Sequence, residues 1–323
     1  MADLEALLCT PERRAEAAAA GPGVLGRVIR LDRGMASVET EAGSVRVDTT
    51  GPSPVVVGDW VVIAPERLTV LTRTTELVRR SGYRRDARQA IAANVDVVLV
   101  VRALDTELRL NRLASLLVIA HDSGARPVVV LSKADCAQDL DAVLSVASEG
   151  LPGEEILAVS AVTGLHMDRL AALVRNKTVV VLGESGAGKS TITNFLLGHD
   201  HLATTAVRRD GQGRHTTTHR ELVTLPGGGV LIDTPGIREA AAVGEGEGID
   251  RTFADLALLA TTCRFSDCSH EGTPGCAIAA ALDGGEVSPE RVANYLDEVA
   301  RQAVFDRRLE ERARLKGRGR RRP

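Results

Sequence analysis

Residues 178–198 read TVVVLGESGAGKSTITNFLLG, so that an apolar run, a glycine-rich turn and a helical pattern follow one another directly. The turn fills the pattern G-x-x-x-x-G-K-[ST] with Gly183, Gly188, Lys189 and Ser190. Glycines in such a turn let successive backbone N–H groups point inward at the positive end of the following helix, where they bind phosphate. The segment therefore predicts a strand–loop–helix unit that carries a phosphate loop.

In a loop of this kind the lysine reaches the β- and γ-phosphates of a nucleotide, and the hydroxyl that follows it binds Mg²⁺. We therefore assign Lys189 a catalytic role and Ser190 a role as Mg²⁺ ligand. A chance glycine-rich turn is the alternative, and the correctly placed strand and helix disfavour it. The predicted nucleotide contacts of the loop are Gly183, Glu184, Ser185, Gly186, Ala187, Gly188, Lys189, Ser190 and Thr191.

Other apolar runs resemble the strand of this unit. They lie at 95–101, 127–131, 155–160, 178–183 and 228–233, and helical patterns such as RLNRLASLLVIAHDSG and MDRLAALVRN separate them. Continuous Val/Leu runs that alternate with helices indicate a parallel sheet covered on both faces. The fold class is therefore α/β.

The segments on either side of this α/β region have a different texture. From about residue 22 short alternating runs between turn residues predict a small all-β barrel of OB-like type, and an SH3-like barrel fits almost as well. The helical C-terminal part contains a Cys/His cluster and a basic end. We expect a helical or disordered tail at 1–21, the barrel at 22–82, the nucleotide-binding domain at 83–245 and a helical metal-binding domain with a basic tail at 246–323.

Two further segments complete the predicted phosphate chemistry. VLIDTPG ends an apolar run with Asp233, which can hold Mg²⁺ through water, and Gly236 can offer its N–H to the γ-phosphate. Between the phosphate loop and Asp233, the run GRHTTTH offers hydroxyl groups to Mg²⁺ and the γ-phosphate. Thr217 is the first choice, although Thr216 or Thr218 would serve, and a polar surface loop is the alternative for any single threonine.

A base-reading segment, PVVVLSKAD, precedes all of these. Asp135 can accept hydrogen bonds from N1–H and the exocyclic amine of guanine, which adenine cannot supply, so the carboxylate predicts GTP and GDP as ligands. Lys133 would lie along the base, and a backbone N–H in VSAVTG would meet the guanine O6. The predicted base-side contacts are Ser132, Lys133, Ala134, Asp135, Ser160 and Ala161.

The segment CRFSDCSHEGTPGC holds four potential metal ligands with the spacing C-x₄-C-x-H-x₅-C: Cys263, Cys268, His270 and Cys276. Three thiolates and one imidazole form the closed tetrahedral site that a structural Zn²⁺ prefers. Reduced cysteines beside an ordinary histidine are the alternative. The other two cysteines, Cys9 and Cys136, lie outside this cluster.

The composition limits the partners. No apolar run is long enough for a membrane span, the start of the chain lacks the pattern of a secretory signal, and we expect a cytoplasmic protein. The net charge is only −3. Basic residues nevertheless cluster in two regions: Arg27, Arg30, Arg33, Arg46, Arg79, Arg80, Arg84 and Arg85, and then Arg312, Arg314, Lys316, Arg318, Arg320, Arg321 and Arg322. With seven aromatic residues in all, the chain is suited to reading folded RNA by shape and phosphate contacts, not by base stacking. A solubilising basic end is the alternative.

The order of the motifs is base reader, S-A, phosphate loop, threonine run and D-x-x-G, and in this order they resemble the circularly permuted GTPases. Within that group the chain resembles the ribosome-small-subunit-dependent GTPase family (RsgA, also called YjeQ), on VGDWV, GRHTTT, DTPGIRE and the Cys/His segment. The resemblance implies a monomeric GTPase that binds the 30S ribosomal subunit and its 16S rRNA, assists late maturation, and carries one zinc ion. Hydrolysis would be slow intrinsically, stimulated by the subunit and coupled to release.

The permutation also suggests how nucleotide state is transmitted. The segment Asp233–Gly236 leads directly into the C-terminal domain, so a γ-phosphate that orders this segment could act on that domain through a short covalent path. A nucleotide-dependent RNA-binding switch outside ribosome assembly and a P-loop enzyme that phosphorylates a small substrate are the alternatives. A preference for guanine over adenine would exclude the second.

Three positions depart from the usual GTPase pattern. Ser132 stands where the base reader usually has Asn, which predicts the loss of one contact to guanine or to the phosphate loop and weaker nucleotide binding. Ile237 stands where many GTPases carry a catalytic Gln, so intrinsic hydrolysis should be slow. There is no histidine between His219 and His270, so that any water-positioning group would be His215, His219 or a group of the ribosome.

Overall fold

The structure, a computed structural model, describes residues 3–32, 34–50, 54–65, 67–80, 88–198, 220–233 and 247–319. The chain forms two compact units from non-contiguous segments. The first, which we call the sheet unit, comprises 1–77, 90–108 and 124–239. The second, the helical unit, comprises 78–89, 109–123 and 240–323. The division into four segments expected from the sequence stays a prediction.

The sheet unit begins with one helix and five short strands: α1 (Pro11–Ala19), β1 (Val24–Asp32), β2 (Met35–Thr40), β3 (Gly43–Asp48), β4 (Trp60–Ala64) and β5 (Arg67–Val70). The strands pair antiparallel in the order β3–β2–β1–β4–β5, and Val28, Ala36, Val38 and Val61 form their small core. The alternating pattern therefore predicted these strands correctly. No pairing among the described residues joins β5 to β3, and the OB-like barrel stays a prediction.

The α/β region follows a separate two-stranded sheet made of β6 (Glu76–Arg80) and β7 (Arg88–Ala93). Its elements are β8 (Val97–Ala103), α2 (Leu110–Asp122), β9 (Arg126–Ser132), a 3₁₀ turn (Ala134–Cys136), α3 (Leu140–Gly150), β10 (Ile156–Ala158), α4 (Met167–Val174), β11 (Thr178–Gly183), α5 (Lys189–Leu197), β12 (Arg220–Thr224) and β13 (Val230–Asp233). All of these except α2 belong to the sheet unit.

Five strands of the α/β region are parallel, in the order β10–β9–β8–β11–β13, which confirms the predicted α/β sheet. Val and Leu side chains of these strands pack against α4 and α5, where Leu170, Ile192 and Leu197 are buried. Strand β12 was not expected, because its sequence RELVT is short and half polar. It pairs antiparallel with both β13 and β1, so that one continuous sheet includes the N-terminal strands.

Arg27 joins the N-terminal strands to the α/β sheet. It projects from β1 and is 1% exposed, and its guanidinium donates to the Leu7 carbonyl at 2.6 Å and to Thr178 Oγ1 at 2.9 Å. It also lies over the Trp60 ring, 5.1 Å from the ring centroid. Burial lowers the pKa of Arg27 to about 10, so the side chain stays a cation at neutral pH. The prediction that Arg27 belongs to a basic surface was wrong, because its side chain is buried and its guanidinium forms hydrogen bonds within the protein.

The helical unit contains α2 together with α6 (Glu247–Thr252), α7 (Ala254–Ala260), α8 (Ala277–Asp283) and α9 (Pro289–Gly319). Helix α6 lies so close to α2 that a Cβ atom on Gly248 would be 2.3 Å from the Val118 carbonyl oxygen. The Gly248 N–H donates to Asp122 Oδ1 at 2.7 Å. Among the described helices, none combines the length and the apolar character that crossing a bilayer requires.

A second buried arginine organises the end of the helical unit. Arg291 of α9 binds Asp255 through two hydrogen bonds of 2.7 and 2.6 Å, and it stacks over Phe253 at 5.0 Å. Burial alone would raise the pKa of Asp255. The hydrogen bonds and the charge of Arg291 lower this pKa by more than burial raises it, so the net shift is downward. The paired, bidentate arrangement holds α9 against the α6–α7 turn.

Replacement of Arg27 by Met is expected to lower the free energy of unfolding by about 3 kcal/mol, because buried carbonyl groups lose their donor. Thermal unfolding followed by circular dichroism would show the midpoint fall by several degrees. The matched control is Arg46→Met, since Arg46 is exposed on β3; its effect should stay within about 0.5 kcal/mol. Equal unfolding midpoints for the two variants would contradict the stabilising role assigned to Arg27.

Candidate nucleotide-binding site

The candidate site lies along one edge of the parallel sheet. Strands β8, β9, β10, β11 and β13 run in the same direction, so their carboxyl ends meet at that edge. Ligands of open α/β sheets bind at such an edge. Residues that are distant in the sequence, from the base reader after β9 to Asp233 at the end of β13, are thereby brought to one side of the sheet unit.

The phosphate loop has the backbone that its glycines predict. Gly186 and Gly188 have φ of 81° and 82°, in the left-handed region that favours glycine. At Gly183 a Cβ atom would lie 2.4 Å from the Val101 carbonyl oxygen, so no larger residue fits beside β8. Helix α5 begins at Lys189 directly after this turn, and its first N–H groups are therefore at the loop.

Lys189 lies within the curve of the loop. Its ammonium group donates to the Gly183 carbonyl at 2.7 Å and also to the Glu184 carbonyl. Ser190 is the next residue of α5 and is half-buried. A cation surrounded by loop backbone at a helix N-terminus is an arrangement that attracts a polyphosphate.

Asp233 ends the strand next to the phosphate-loop strand. Because Ile232 of β13 lies opposite Val180 of β11, Asp233 is at the level of the last residues before Gly183. The structure thus brings Asp233 to the same edge as Lys189. Thr217 and Gly236 lie outside the described residues, as do Thr216, Thr218, His215, His219 and Ile237, and their roles stay predictions.

The base reader is held to the sheet by its backbone. Lys133 has a φ of 55°, and the following N–H, of Ala134, donates to the Val159 carbonyl at 3.0 Å. The buried Ser160 hydroxyl donates to the Asp135 carboxylate. This hydrogen bond is the main reason that the pKa of Asp135 is below its ordinary value. Asp135 is exposed and ionised at neutral pH, and it can act only as a hydrogen-bond acceptor.

The structure distinguishes the backbone N–H groups of Ser160 and Ala161, which were both predicted to contact the base. The Ser160 N–H donates to the Leu165 carbonyl at 3.1 Å, so Ala161, which is exposed, is the candidate for a contact to the guanine O6. The contact between Ser160 and Asp135 was not predicted. The sequence carried only a weak signal for it, since the two residues are separated by a complete helix and strand.

Ser132 links the base reader to the phosphate loop. Its hydroxyl donates to the Ala187 carbonyl at 2.7 Å, and a Cβ atom on Gly188 would lie 3.1 Å from the Ser132 hydroxyl oxygen. We expected Ser132 to lose one contact to guanine or to the phosphate loop. On the phosphate-loop side a contact is present, because the small side chain reaches a loop that approaches β9 closely.

Two residues, one near the end of β8 and one just after it, belong to this edge but were not predicted. Arg102 forms an ion pair with Glu184 of the phosphate loop. Asp105 accepts from the Lys133 ammonium at 2.5 Å. The available signal was topological: a strand between the base-reader strand and the phosphate-loop strand must end at the same edge.

The Cys/His residues of the helical unit also come together. The distances are 3.6 Å from Cys263 Sγ to His270 Nδ1, 3.5 Å from Cys276 Sγ to the same nitrogen and 4.0 Å between the two sulfurs. Together with Cys268, all four ligand atoms lie within 4.8 Å of one another. A tetrahedral ion with metal–sulfur bonds of about 2.3 Å and a metal–nitrogen bond of about 2.0 Å separates its ligands by about 3.5–3.8 Å. The four predicted ligands therefore fit a metal ion.

Backbone groups support this cluster from outside. The N–H groups of Ala277 and Ala279 each lie 3.4 Å from a cysteine sulfur, of Cys263 and Cys276 respectively. Hydrogen bonds of this kind stabilise negative charge on sulfur and orient the ligands. The start of α8 is thereby directed at the cluster.

Comparisons with known proteins agree with this geometry. The family model described as RsgA GTPase matches residues 70–242. A Streptomyces coelicolor protein named small ribosomal subunit biogenesis GTPase RsgA is 46% identical over 292 residues, which are 85% of this chain and 80% of that protein. A protein of the same name from Xanthomonas euvesicatoria is 44% identical over 275 residues, which are 82% of this chain and 75% of that protein.

Solved structures show the same fold. The crystal structure of YjeQ from Thermotoga maritima has a TM-score of 0.64 and 25% identity, and the match covers 87% of this chain and 98% of that one. YloQ, described as a circularly permuted GTPase, has a TM-score of 0.62 and 23% identity, with 87% and 95% covered. Circular permutation, predicted from the motif order, is confirmed by these neighbours.

Proposed function

The chain belongs to the RsgA GTPase family: it is a GTP-hydrolysing enzyme of small ribosomal subunit biogenesis, and we propose that its nucleotide state governs its association with the 30S subunit. GTP favours the bound form, the subunit stimulates hydrolysis, and hydrolysis favours release. The convergence of Asp135 and Lys189 at one sheet edge carries the nucleotide part of the proposal, and the name shared by the similar proteins supports the partner.

The phosphate side of the site binds by charge and backbone dipoles. The N–H groups at the start of α5 and the Lys189 ammonium hold the β- and γ-phosphates. Ser190 would hold Mg²⁺ directly and Asp233 would hold it through water, and the ion would supply positive charge beside these phosphates. The loop backbone that already holds Lys189 fixes the position of its charge.

The base side selects guanine. The Asp135 carboxylate accepts from N1–H and the exocyclic amine, and Ser160 holds that carboxylate in its ionised form. The side chain of Lys133 lies along the base, while Asp105 accepts from its ammonium. Adenine presents an unprotonated N1 at the place where guanine has N1–H, so it would leave the carboxylate unpaired.

Hydrolysis needs a group that orients the attacking water. The apolar Ile237 follows the D-x-x-G segment and cannot do this, so we propose that intrinsic hydrolysis is slow. Thr217 and Gly236 would sense the γ-phosphate. The group that orients the water is His215, His219 or a group of the subunit.

Coupling to the ribosome follows from linkage. If the 30S subunit binds the GTP form more tightly, GTP must bind the subunit-bound protein more tightly by the same factor. The chain passes from Asp233 at the end of β13 to α6 at Glu247 in the helical unit, which supplies the covalent path.

The partner surface is basic. Arg46 and Arg314 are exposed. We propose that these and other exposed basic residues contact the phosphate backbone of the 16S rRNA. We also propose that the protein binds the subunit as a monomer. Arg30 is partly exposed and forms an ion pair with Asp32 at 3.0 Å. Side chains of most other members of the two basic groups lie outside the described part of the structure.

The metal of the Cys/His cluster is proposed to be one structural Zn²⁺. The donor set of Cys263, Cys268, His270 and Cys276 is closed and soft, which favours Zn²⁺ over Mg²⁺ or Ca²⁺. A Zn²⁺ ion bound by these four residues would fix the connection between α7 and α8 within the helical unit.

We expect one zinc ion per chain in protein purified without chelator, measured by inductively coupled plasma mass spectrometry. Cys268→Ser should lower the zinc content by well over half, because one of four ligands is lost. The matched control is Cys136→Ser, since Cys136 is exposed and outside the cluster. Full zinc content in Cys268→Ser, or none in the unaltered protein, would contradict the assignment.

The function itself is tested by steady-state GTP hydrolysis, alone and with purified 30S subunits. We expect stimulation of at least about tenfold by 30S, which corresponds to about 1.4 kcal/mol of activation free energy. The 50S subunit and ATP are the controls, and neither should reproduce the effect. A GTPase rate indifferent to 30S would refute the proposed partner while leaving the nucleotide site intact.

A further inference from the structure

Arg102 lies between the two halves of the nucleotide site. It is the next-to-last residue of β8, it pairs with Leu131 of β9, and its neighbour Val101 pairs with Gly183 of β11. Its side chain is 10% exposed. The guanidinium is therefore a buried charge between the base-reader strand and the phosphate-loop strand.

The two arms of this guanidinium bind different segments. One terminal nitrogen donates to the carboxylate of Glu184, the first residue of the phosphate loop after Gly183. The other donates to the Glu107 carbonyl at 2.6 Å and to Thr106 Oγ1 at 3.3 Å. A planar fork is suited to holding two segments at a fixed separation, which a lysine ammonium cannot do in the same way.

The segment that Arg102 holds is also attached to the base reader. Asp105 forms an ion pair with Lys133 at 2.5 Å, and both side chains are partly exposed. Polar contacts thus run from Glu184 through Arg102 to residues 105–107 and on to Lys133. Together with the Ser132–Ala187 hydrogen bond, they connect the phosphate loop to the guanine reader at two places.

The contacts of Arg102 are not those of an optimised structural ion pair. Its Nε is buried and has no hydrogen-bond partner among the described residues. A buried donor without a partner destabilises the folded state, and buried ion pairs in general are weak evidence for stability. A contribution to the geometry of the site accounts better for a charge in this position.

We infer that Arg102 is a positioning residue for the nucleotide, acting through Glu184 on the start of the phosphate loop and through residues 105–107 on Lys133. It orders both halves of the site before nucleotide binds, so that less conformational freedom is lost on binding. This inference rests on the proposed function, since it concerns the same guanine nucleotide.

The test measures GDP affinity by titration calorimetry for Arg102→Gln, Glu184→Gln and the double variant. Glu184→Gln, which removes one arm of the interaction, should bind GDP several-fold more weakly. Arg102→Gln, which removes both arms, should bind GDP about tenfold more weakly, and the double variant no more weakly than Arg102→Gln, because the pair of Arg102 with Glu184 is lost only once. Arg102→Lys should recover part of the loss, since it keeps the charge but not the fork. The matched control is Arg126→Gln, which breaks an exposed pair with Glu155 at the other end of β9 and should leave GDP affinity unchanged.

Thermal unfolding without nucleotide separates positioning from stability. A lower midpoint with unchanged GDP affinity in Arg102→Gln would overturn the inference, and so would additive losses in the double variant. If Arg102→Gln does not fold, Arg102→Lys decides in its place: it keeps the buried charge but loses the fork, so its GDP affinity should still be lower than that of the unaltered protein. Failure of 30S to stimulate the unaltered protein would refute the partner only, since the ratio of GDP affinities does not depend on the ribosome.

Discussion

Parallel pairing of β8 with β9 on one side and β11 on the other is the constraint on which the site depends. Val100 of β8 lies opposite Val129 of β9 and opposite Leu182 of β11, which sets the relative height of the two neighbouring strands. A hydrogen bond from the Leu104 N–H to the Ser132 carbonyl at 2.9 Å continues the pairing to the edge. With the strand ends at one height, Ser132 reaches Ala187 and Arg102 reaches Glu184.

This constraint explains why the permuted order of motifs still allows the same site to form. A sheet edge is defined by which strands are neighbours and in which direction they run, and neither depends on where the chain begins. Permutation changes instead what precedes and follows the site. Here the N-terminal strands join the same sheet through β12 and the buried Arg27, and the chain continues from β13 into the helical unit.

Local patterns in the sequence were sufficient for much of the fold and the site. The apolar runs predicted the parallel strands, the glycine spacing predicted the turn between β11 and α5, and the Cys/His spacing predicted four side chains that lie close together. Other features depend on contacts between distant segments and could not be predicted. The burial of Arg27, the hydrogen bond from Ser160 to Asp135, and the contacts of Arg102 are determined by strand order, which no local pattern contains. Strand β12 was missed because it is stabilised by pairing and not by apolar content.

The central claim, that this edge reads guanine through Asp135, is tested most directly by a change of base specificity. Xanthine carries a carbonyl group where guanine has its exocyclic amine, so an Asn side chain matches xanthine and a carboxylate matches guanine. GDP and XDP affinities would be measured by titration calorimetry for the unaltered protein and for Asp135→Asn. The account predicts that Asp135→Asn loses GDP affinity by about a hundredfold or more and gains XDP affinity. GDP bound equally well by both proteins, with XDP bound by neither, would contradict it.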